Sequence, residues 1–215
     1  MNRKNLRSLA AGVALLLAVG ALAGCGGEKK ADDSKKMVTV GIAQLVEHGA
    51  LDAANKGFVA GMASKGFKEN ENVKYDRQNA QADQSNLQNI AQRFVSNKVD
   101  LICAIATPTA QTMANATKDI PIVATAVTDY EVAKLAASNN EPKGNVTGTS
   151  DMNPIDQQLE LLLKIAPQTK NIGTVYSSSE VNSQLQVDVL KKLAGDKGIN
   201  VIEATVSTVN DIQQA

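Results

Sequence analysis

The sequence predicts an α/β fold built on a doubly wound parallel sheet, and two observations carry that prediction. From about residue 38 onward, short apolar segments of strand length alternate with longer segments whose apolar residues recur every three or four positions. In addition, residues 101–106 are apolar at every position, as in a strand that is covered on both faces. Strands alternating with helices form βαβ units, in which neighbouring strands run parallel.

The first half of the pattern accounts for at least four strands and three helices. The predicted strands are, in chain order, residues 38–43, 73–77, 101–106 and 122–127. The predicted helices are residues 51–65, a helix with Leu87, Ile90, Ala91, Phe94 and Val95 on one face, and residues 109–117. A stretch rich in Asn, Gly and Pro follows at 139–148, which indicates a boundary. We therefore predict a first α/β lobe over residues 37–149.

The second half repeats the alternation with fewer elements. Helices are predicted at 155–166 and 181–194, strands at 172–176 and 201–206, and Asp211 is expected in the first turn of a further helix. Two strands are too few for a covered sheet of ordinary size. Residues 150–215 are therefore expected to form a second lobe that is incomplete within this sequence.

The first 36 residues read as a targeting segment and a tether. Arg3, Lys4 and Arg7 precede an apolar run at 9–22, the layout of a secretory signal peptide, and the run is shorter than the roughly 20 residues that span a membrane. We predict a signal peptide over 1–24, with Cys25 as the first mature residue, and a flexible tether over 25–36. The alternative is ordinary secretion with an incidental cysteine.

Composition excludes several classes of function. Removing residues 1–24 takes away three cations and no anion from a chain with 22 of each, which leaves a net charge of about −3. A slightly acidic chain lacks the basic face that nucleic acid requires, so we expect no nucleic-acid partner. With His48 as its one histidine and two cysteines in all, it has few ligands for a metal site. Cys103 is expected to be a buried small hydrophobe.

Ligands of open parallel sheets bind beyond the carboxyl ends of the strands, so the residues after each predicted strand are the candidates. Glu47 and His48 follow the first strand and could bind an ammonium group or act as an acid–base pair; otherwise they belong to a solvated loop. Thr107 and Thr109 follow the third strand. Thr107 suits a helix N-cap, with Pro108 at the first helical position, and free amides there would attract a carboxylate. The alternative is a cap that serves only its helix.

Two further stretches complete the candidate set. Asp129 follows the fourth strand and could cap a helix or hold a ligand amine, whereas Tyr130 could stack on a ring or cover the surface. In the second half, Ser177 and Glu180 have the spacing of a capping box at another helix start. That start also carries Asn182 and Ser183.

Taken together and in order, these stretches resemble a known family. The matching segments are "GIAQLVEHGALDAANKGF", "VDLICAIATPTAQTMANATKDIPIVATAVTD", "GNVTGTSD" and "IGTVYSSSEVNSQLQ". They are similar to the substrate-binding lipoproteins of bacterial ABC importers, in the subfamily associated with tryptophan or other aromatic amino acids. The resemblance covers residues 38–215. Residues 22–25, "LAGC", resemble the lipobox of bacterial lipoproteins, whose cysteine is diacylated.

The resemblance implies a type I periplasmic-binding fold, in which two doubly wound lobes close on a small ligand and then dock on an ABC permease. It implies a binding protein without cofactor or catalysis, held by a lipid on Cys25 at the outer face of the cell membrane; we expect a monomer. The implied ligand contacts are Glu47, His48, Thr107, Thr109, Asp129, Tyr130, Glu180, Asn182 and Ser183. Tyr130 departs from the family pattern, where a proline is expected. Such proteins are also expected to continue for about another hundred residues.

Three other functions remain open from the sequence. One is a surface enzyme that uses Glu47 and His48, although no nucleophile or metal partner for the pair is visible. Another is a sugar- or purine-responsive regulator, which shares the lobe architecture but carries a DNA-binding helix pair in front. The last is a surface lipoprotein that senses a sugar or nucleoside, or binds a partner protein, without transport.

Overall fold

The computed structural model describes residues 37–142 and 144–215. The predicted signal peptide, the predicted lipidation site Cys25 and the predicted tether lie outside the described residues. Within the described part of the chain, no helix is long and apolar enough to cross a membrane.

The larger sheet has five parallel strands in the order β2-β1-β3-β4-β5. Its strands are β1 (Val38–Gln44), β2 (Val73–Asn79), β3 (Leu101–Ile105), β4 (Ile122–Val127) and β5 (Val146–Ser150). Three helices connect the first four strands: α1 (Gly49–Ser64), α2 (Gln84–Ser96) and α3 (Thr107–Ala116). The strand order is that of a doubly wound sheet, whose direction of winding reverses between β1 and β3. This confirms the predicted fold class.

The smaller sheet has two parallel strands, β6 (Asn171–Ser177) and β7 (Asn200–Val206). Helices α4 (Ile155–Ile165) and α5 (Val181–Gly195) precede and connect these strands, and a 3₁₀ helix (Val209–Gln213) follows β7. Asp211 lies in the first turn of this 3₁₀ helix, as predicted, although the helix is not an α-helix. β5 was not predicted as a separate element, because its sequence VTGTS has no apolar pattern and it overlaps the Gly- and Asn-rich stretch.

The larger sheet is covered on both faces. On one face, Leu87 and Phe94 of α2 and Met113 of α3 pack with Ile102 and other residues of the sheet. On the other face, α1 packs through its partly buried apolar residues against a cluster that contains Cys103. Burial raises the pKa of the Cys103 thiol to about 12, so this residue is a small core side chain and not a nucleophile at neutral pH.

The smaller sheet is covered on one face. Leu159 of α4 and Ala194 of α5 form an apolar cluster with Ile199, against which Ile172 and Val201 of the two strands pack. The next residues along the strands point to the opposite face because side chains alternate across a sheet. There Val175 is 55% exposed and Ile202 is 56% exposed.

The pairing of β4 with β5 is irregular, and the Tyr130 side chain bridges the two strands at the irregularity. The register between the strands shifts between Ala124 and Val127, and Ala126 has a left-handed φ of 55°. The Tyr130 hydroxyl lies 2.9 Å from the Ala124 carbonyl oxygen and 3.2 Å from that of Thr149, so it can donate to either. The side chain is 7% exposed, and burial raises its pKa to about 12.

Gly148 makes room for this arrangement. A Cβ atom at residue 148 would lie 1.9 Å from the Ala124 carbonyl oxygen and 2.2 Å from the Tyr130 hydroxyl oxygen. Neither atom is the end of a freely moving side chain, because one belongs to the backbone and the other to a packed ring. The strand therefore requires glycine at this position.

We predict that Gly148→Ala lowers the free energy of unfolding by about 3 kcal/mol or more, since overpacking next to backbone forces the strands apart. The matched control is Gly173→Ala in β6, where an added Cβ meets nothing within 4 Å. That substitution should leave stability unchanged or raise it by about 0.5 kcal/mol. Urea unfolding followed by circular dichroism measures both, and equal stability of the two variants would contradict the packing described for Tyr130.

Candidate functional site

A cavity of about 550 Å³ lies at the carboxyl ends of strands from both sheets. Nearly all of the residues that line it end a strand, follow one or begin the next helix. The lining residues of the larger sheet are Leu45, Ala82, Gln84 and Pro108, and those of the smaller sheet are Ser177, Ser179, Glu180, Val206, Ser207, Thr208 and Ile212. Leu45 follows β1 and Pro108 follows β3, so the cavity opens at the point where the winding of the sheet reverses, which is the usual ligand site of such sheets.

The start of α3 forms one wall of this cavity. Ala106 is the N-cap residue, with a left-handed φ of 88°, so Thr107 and Pro108 are the first two helical residues. The prediction that Thr107 is the N-cap was therefore wrong by one position. Ala106 offers no side-chain cap, and the Ala110 amide already donates to the Ala106 carbonyl oxygen, 3.0 Å away. The amides of Thr107 and Thr109 are the donors that a helix start leaves free for an anion.

Several predicted site residues carry buried polar atoms without a hydrogen-bond partner. Thr107 and Thr109 are 2% and 0% exposed, and the hydroxyl oxygen of each is unpaired. The side-chain oxygen of Asn182 is unpaired as well. In the described residues only two further side-chain atoms share this condition, the hydroxyls of Tyr75 and Thr174. Buried polar groups in proteins are normally paired, so this concentration at two helix starts calls for an explanation.

The start of α5 forms the facing wall. Glu180 is its N-cap residue but makes no side-chain capping bond, and the Ser177 hydroxyl instead pairs with that of Ser179 at 3.0 Å. The predicted capping box of Ser177 and Glu180 is therefore wrong. The Glu180 carboxylate lines the cavity and accepts a long hydrogen bond of 3.5 Å from the Asn182 side-chain amide. Ser183 lies in the first turn and is half-buried.

A capping box does occur at the next helix start, after β7. The Thr208 side chain accepts from the third residue of the 3₁₀ helix, and Asp211 accepts from the Thr208 amide at 2.8 Å. The amides of Thr208 and Ser207 hold the pKa of the Asp211 carboxyl below its usual value. This box fixes the backbone of residues 207–208, which line the cavity.

Glu47 and His48 lie on the surface after β1 and are exposed. His48 is the N-cap residue of α1, and its Nδ1 accepts from the Ala50 amide at 3.2 Å. Glu47 lines a different cavity, of about 400 Å³, together with the buried Gln44 and Asp52, which share a hydrogen bond of 2.6 Å. The structure therefore gives His48 a capping role and places Glu47 away from the lining of the 550 Å³ cavity.

Asp129 and Tyr130 serve the loop after β4. One Asp129 oxygen accepts from the Val132 amide at 2.8 Å, and the other accepts from the Asn139 side chain at 2.7 Å. Both oxygens thus hold a turn in place. The prediction that Tyr130 stacks on a ligand or covers the surface is corrected, because its ring packs into the core and its hydroxyl bridges β4 and β5.

Several lining residues are not among the predicted candidates, although they too follow strands of the two sheets. Ala82 and Gln84 follow β2, and Val206, Ser207 and Thr208 end or follow β7. Both strands were predicted, but only the residues after the other strands were considered. Among the described residues, no group of three or more His, Cys, Asp or Glu side chains is placed to hold a metal ion.

Comparison with known proteins adds three close likenesses. The chain is 48% identical over 222 residues to a tyrosine-binding protein of Clostridioides difficile strain R20291, covering 100% of this chain and 64% of that protein. A Streptococcus pneumoniae ABC domain in complex with L-Trp matches with a TM-score of 0.80 at 41% identity, covering 83% of this chain and 60% of that one. The ligand-free, open structure of a Clostridium difficile substrate binding protein with adhesive properties matches with a TM-score of 0.64 at 50% identity, again covering 83% and 60%.

The chain thus spans less than two thirds of the length of these relatives. Their likeness, with the two parallel sheets, confirms the predicted type I periplasmic-binding fold. The family model described as ABC transporter substrate binding protein matches residues 39–215. The chain belongs to the family of ABC transporter substrate binding proteins.

Proposed function

We propose that this protein is the solute receptor of an ABC importer and that it holds an aromatic amino acid in the 550 Å³ cavity. The observation that carries the proposal is the set of unpaired buried polar atoms at the starts of α3 and α5, on Thr107, Thr109 and Asn182. A ligand that pairs these atoms would remove an unfavourable feature of the ligand-free protein. In this proposal the two sheets belong to two lobes, residues 37–149 and 150–215.

The α-carboxylate of the ligand is assigned to the start of α3. The free amides of Thr107 and Thr109 are directed by the helix geometry toward its N-terminal end, where the helix dipole favours negative charge. The two threonine hydroxyls add donors that lack partners in the ligand-free protein. Hydrogen bonds to a charged group contribute about 1.5–3 kcal/mol each when they replace contacts with water.

The ammonium group is assigned to Glu180. Its carboxylate lines the cavity and has one long hydrogen bond, from Asn182, among the contacts described. Asp129 is a weaker candidate, since both of its oxygens are engaged by Val132 and Asn139. Glu47 would have to move from the other cavity to take part.

The side chain of the ligand would pack against aliphatic groups. Leu45, Pro108, Val206 and Ile212 line the cavity, and no aromatic residue is among the described lining residues. An aromatic ring buries a large apolar area against such a surface without stacking. The polar groups of Gln84, Ser207 and Thr208 are available to a phenol or indole hydrogen.

The relatives support an aromatic amino acid as the ligand. One relative is named a tyrosine-binding protein, and another was solved in complex with L-Trp. The TM-score is higher against the L-Trp complex, 0.80, than against the ligand-free, open structure, 0.64, although the sequence identity is lower. This protein therefore superposes more closely on the ligand-bound relative than on the ligand-free, open one.

The proposal also covers where the protein is located in the cell and which partners it binds. A lipid on Cys25 would hold the protein at the outer face of the membrane, since two acyl chains suffice for stable anchoring. Its partners would be the amino acid and an ABC permease, and its action would be stoichiometric binding without turnover. Product formation by the purified protein would contradict this.

A second function is adhesion, because one relative at 50% identity is described as having adhesive properties. The two functions are separable, because adhesion requires a partner surface and not the cavity. Protein loaded with an amino acid would then adhere to that partner surface as well as protein without the amino acid does.

Ligand binding should be detected first by thermal stability. The intact protein should be stabilised by L-tyrosine or L-tryptophan, by about 2.7 kcal/mol at a ligand concentration one hundred times Kd. A thermal-shift panel of amino acids, nucleosides and sugars measures this. If only a sugar or a nucleoside raises the melting temperature, the ligand belongs to that class and is not an amino acid.

The role of the unpaired hydroxyls can be tested with isosteric substitutions. Thr109→Val should weaken amino-acid binding at least tenfold, because it removes a donor to the carboxylate. The matched control is Thr174→Val, which removes another unpaired buried hydroxyl; Thr174 lies within β6, whereas Thr109 is next to the lining residue Pro108 at a helix start. Neither change should lower stability, since a hydroxyl without a partner contributes none. Titration calorimetry measures both, and equal affinities would overturn the assignment of the carboxylate.

Membrane attachment depends on Cys25 in this proposal. Cys25→Ser should abolish acylation and leave the protein either soluble or unprocessed, as separated by membrane fractionation and mass spectrometry of the N-terminus. A mature-size Cys25→Ser protein that still sediments with membranes would show that a lipid on this cysteine is not the anchor.

A further inference from the structure

The chain passes from the larger sheet to the smaller one through a short segment after β5. β5 ends at Ser150, and α4, which packs in the core of the smaller sheet, begins at Ile155. Residues 151–154 between them form neither helix nor strand. If one sheet rotates relative to the other, backbone φ and ψ angles within this segment must change.

The beginning of the segment is bonded to the larger sheet. The Ser150 hydroxyl donates to the Thr128 carbonyl oxygen at 2.7 Å, and the Asp151 amide donates to the Val127 carbonyl oxygen at 3.0 Å. One residue earlier, the Thr149 carbonyl oxygen lies 3.2 Å from the Tyr130 hydroxyl. Residues 149–151 are therefore attached to the loop and strand that precede them in the larger sheet.

The end of the segment is bonded to α5, the helix that connects the strands of the smaller sheet. The Asn153 side-chain amide donates to the Gln186 side chain of α5 at 2.9 Å, and the Ile155 amide donates to the Asn153 carbonyl oxygen at 2.9 Å. Met152 lies between the two attachments. Its amide donates to the Ser150 hydroxyl at 3.1 Å, and its side chain is 40% exposed.

Tyr130 bridges β4 and β5 where their pairing is interrupted. The register shift between Ala124 and Val127 interrupts the regular pairing of β4 with β5 just before the segment begins. The tyrosine hydroxyl spans the interruption, with one carbonyl oxygen of each strand within reach, and Gly148 leaves the space for it. A single buried hydroxyl thus bridges the two strands where their pairing is interrupted, one residue before Ser150 pairs with Val127 again.

We propose that Tyr130 is a positioning residue that fixes the end of β5, so that bending between the two sheets is confined to Met152. Hinges of this kind are a few residues at the end of an element that absorb changes in φ and ψ. Without the hydroxyl, residues 149–151 would be held only by the bonds of Ser150 and Asp151 to Thr128 and Val127, and the bend would spread into β5. The inference concerns the ligand-free chain; its consequence for closure around a ligand rests on the proposed function.

Hydrogen exchange of the intact, ligand-free protein tests the inference. In Tyr130→Phe the amides of Asp151 and Met152 should exchange roughly tenfold faster, the effect expected for one lost buried hydrogen bond. The amides of β3 should keep their rates. The matched control is Tyr176→Phe, whose hydroxyl bonds to Gln184 and Glu203 at the smaller sheet and which should leave residues 149–152 unchanged.

Unchanged exchange rates at residues 151–152 would overturn the inference, because Tyr130 would then have no part in the hinge. Equal acceleration in β3 would also overturn it, because Tyr130 would then only stabilise the lobe as a whole. If Tyr130→Phe does not fold, the unsubstituted protein supplies the test: the Asp151 amide should exchange as slowly as the β5 amides and the Asn153 amide much faster, and equal rates would overturn the inference. Because no ligand is present, the result is independent of whether an amino acid binds.

Discussion

The parallel pairing of β1 with β3 is the constraint on which the rest of the site depends. Val40 is level with Leu101 and Gln44 with Ile105, so two segments far apart in sequence end at the same edge of the sheet. The chain then turns to opposite faces, through α1 after β1 and through α3 after β3. The gap between these two turns exists because helices cover both faces, and Leu45 and Pro108 line it. β6 and β7 supply the opposite wall by the same geometry, since they too are parallel.

The polar atoms at the helix starts have an energetic cost in the ligand-free protein. A buried hydroxyl or amide oxygen without a partner loses its contacts with water and gains nothing in return, at a cost of roughly 1–3 kcal/mol. Thr107, Thr109 and Asn182 share that condition, whereas the capping box of Thr208 and Asp211 satisfies its own backbone. Three of the five unpaired atoms in the described residues thus lie at the starts of α3 and α5, next to the lining residues Pro108 and Glu180.

Much of the fold could be predicted from sequence, because period-2 and period-3.6 apolar patterns reflect burial directly. β5 was missed because only Val146 of VTGTS is buried in the core, and the other residues of the strand are held by strand pairing and by Tyr130. The predicted start of α3 was wrong by one residue because Ala106 adopts a left-handed φ, and an alanine in the sequence does not indicate that conformation. Tyr130 was assigned to a ligand because sequence does not show that the loop after β4 folds back, held by Asp129 and Asn139, and carries the ring into the core.

The most direct test of the central claim is a backbone amide NMR titration of the intact, isotope-labelled protein with L-tyrosine. The largest shift changes are expected at Thr107, Thr109 and Asn182, because the ligand carboxylate and ammonium would meet the starts of α3 and α5. Perturbations centred instead on Gln44, Glu47 and Asn55, around the 400 Å³ cavity, would place the ligand elsewhere and contradict the account.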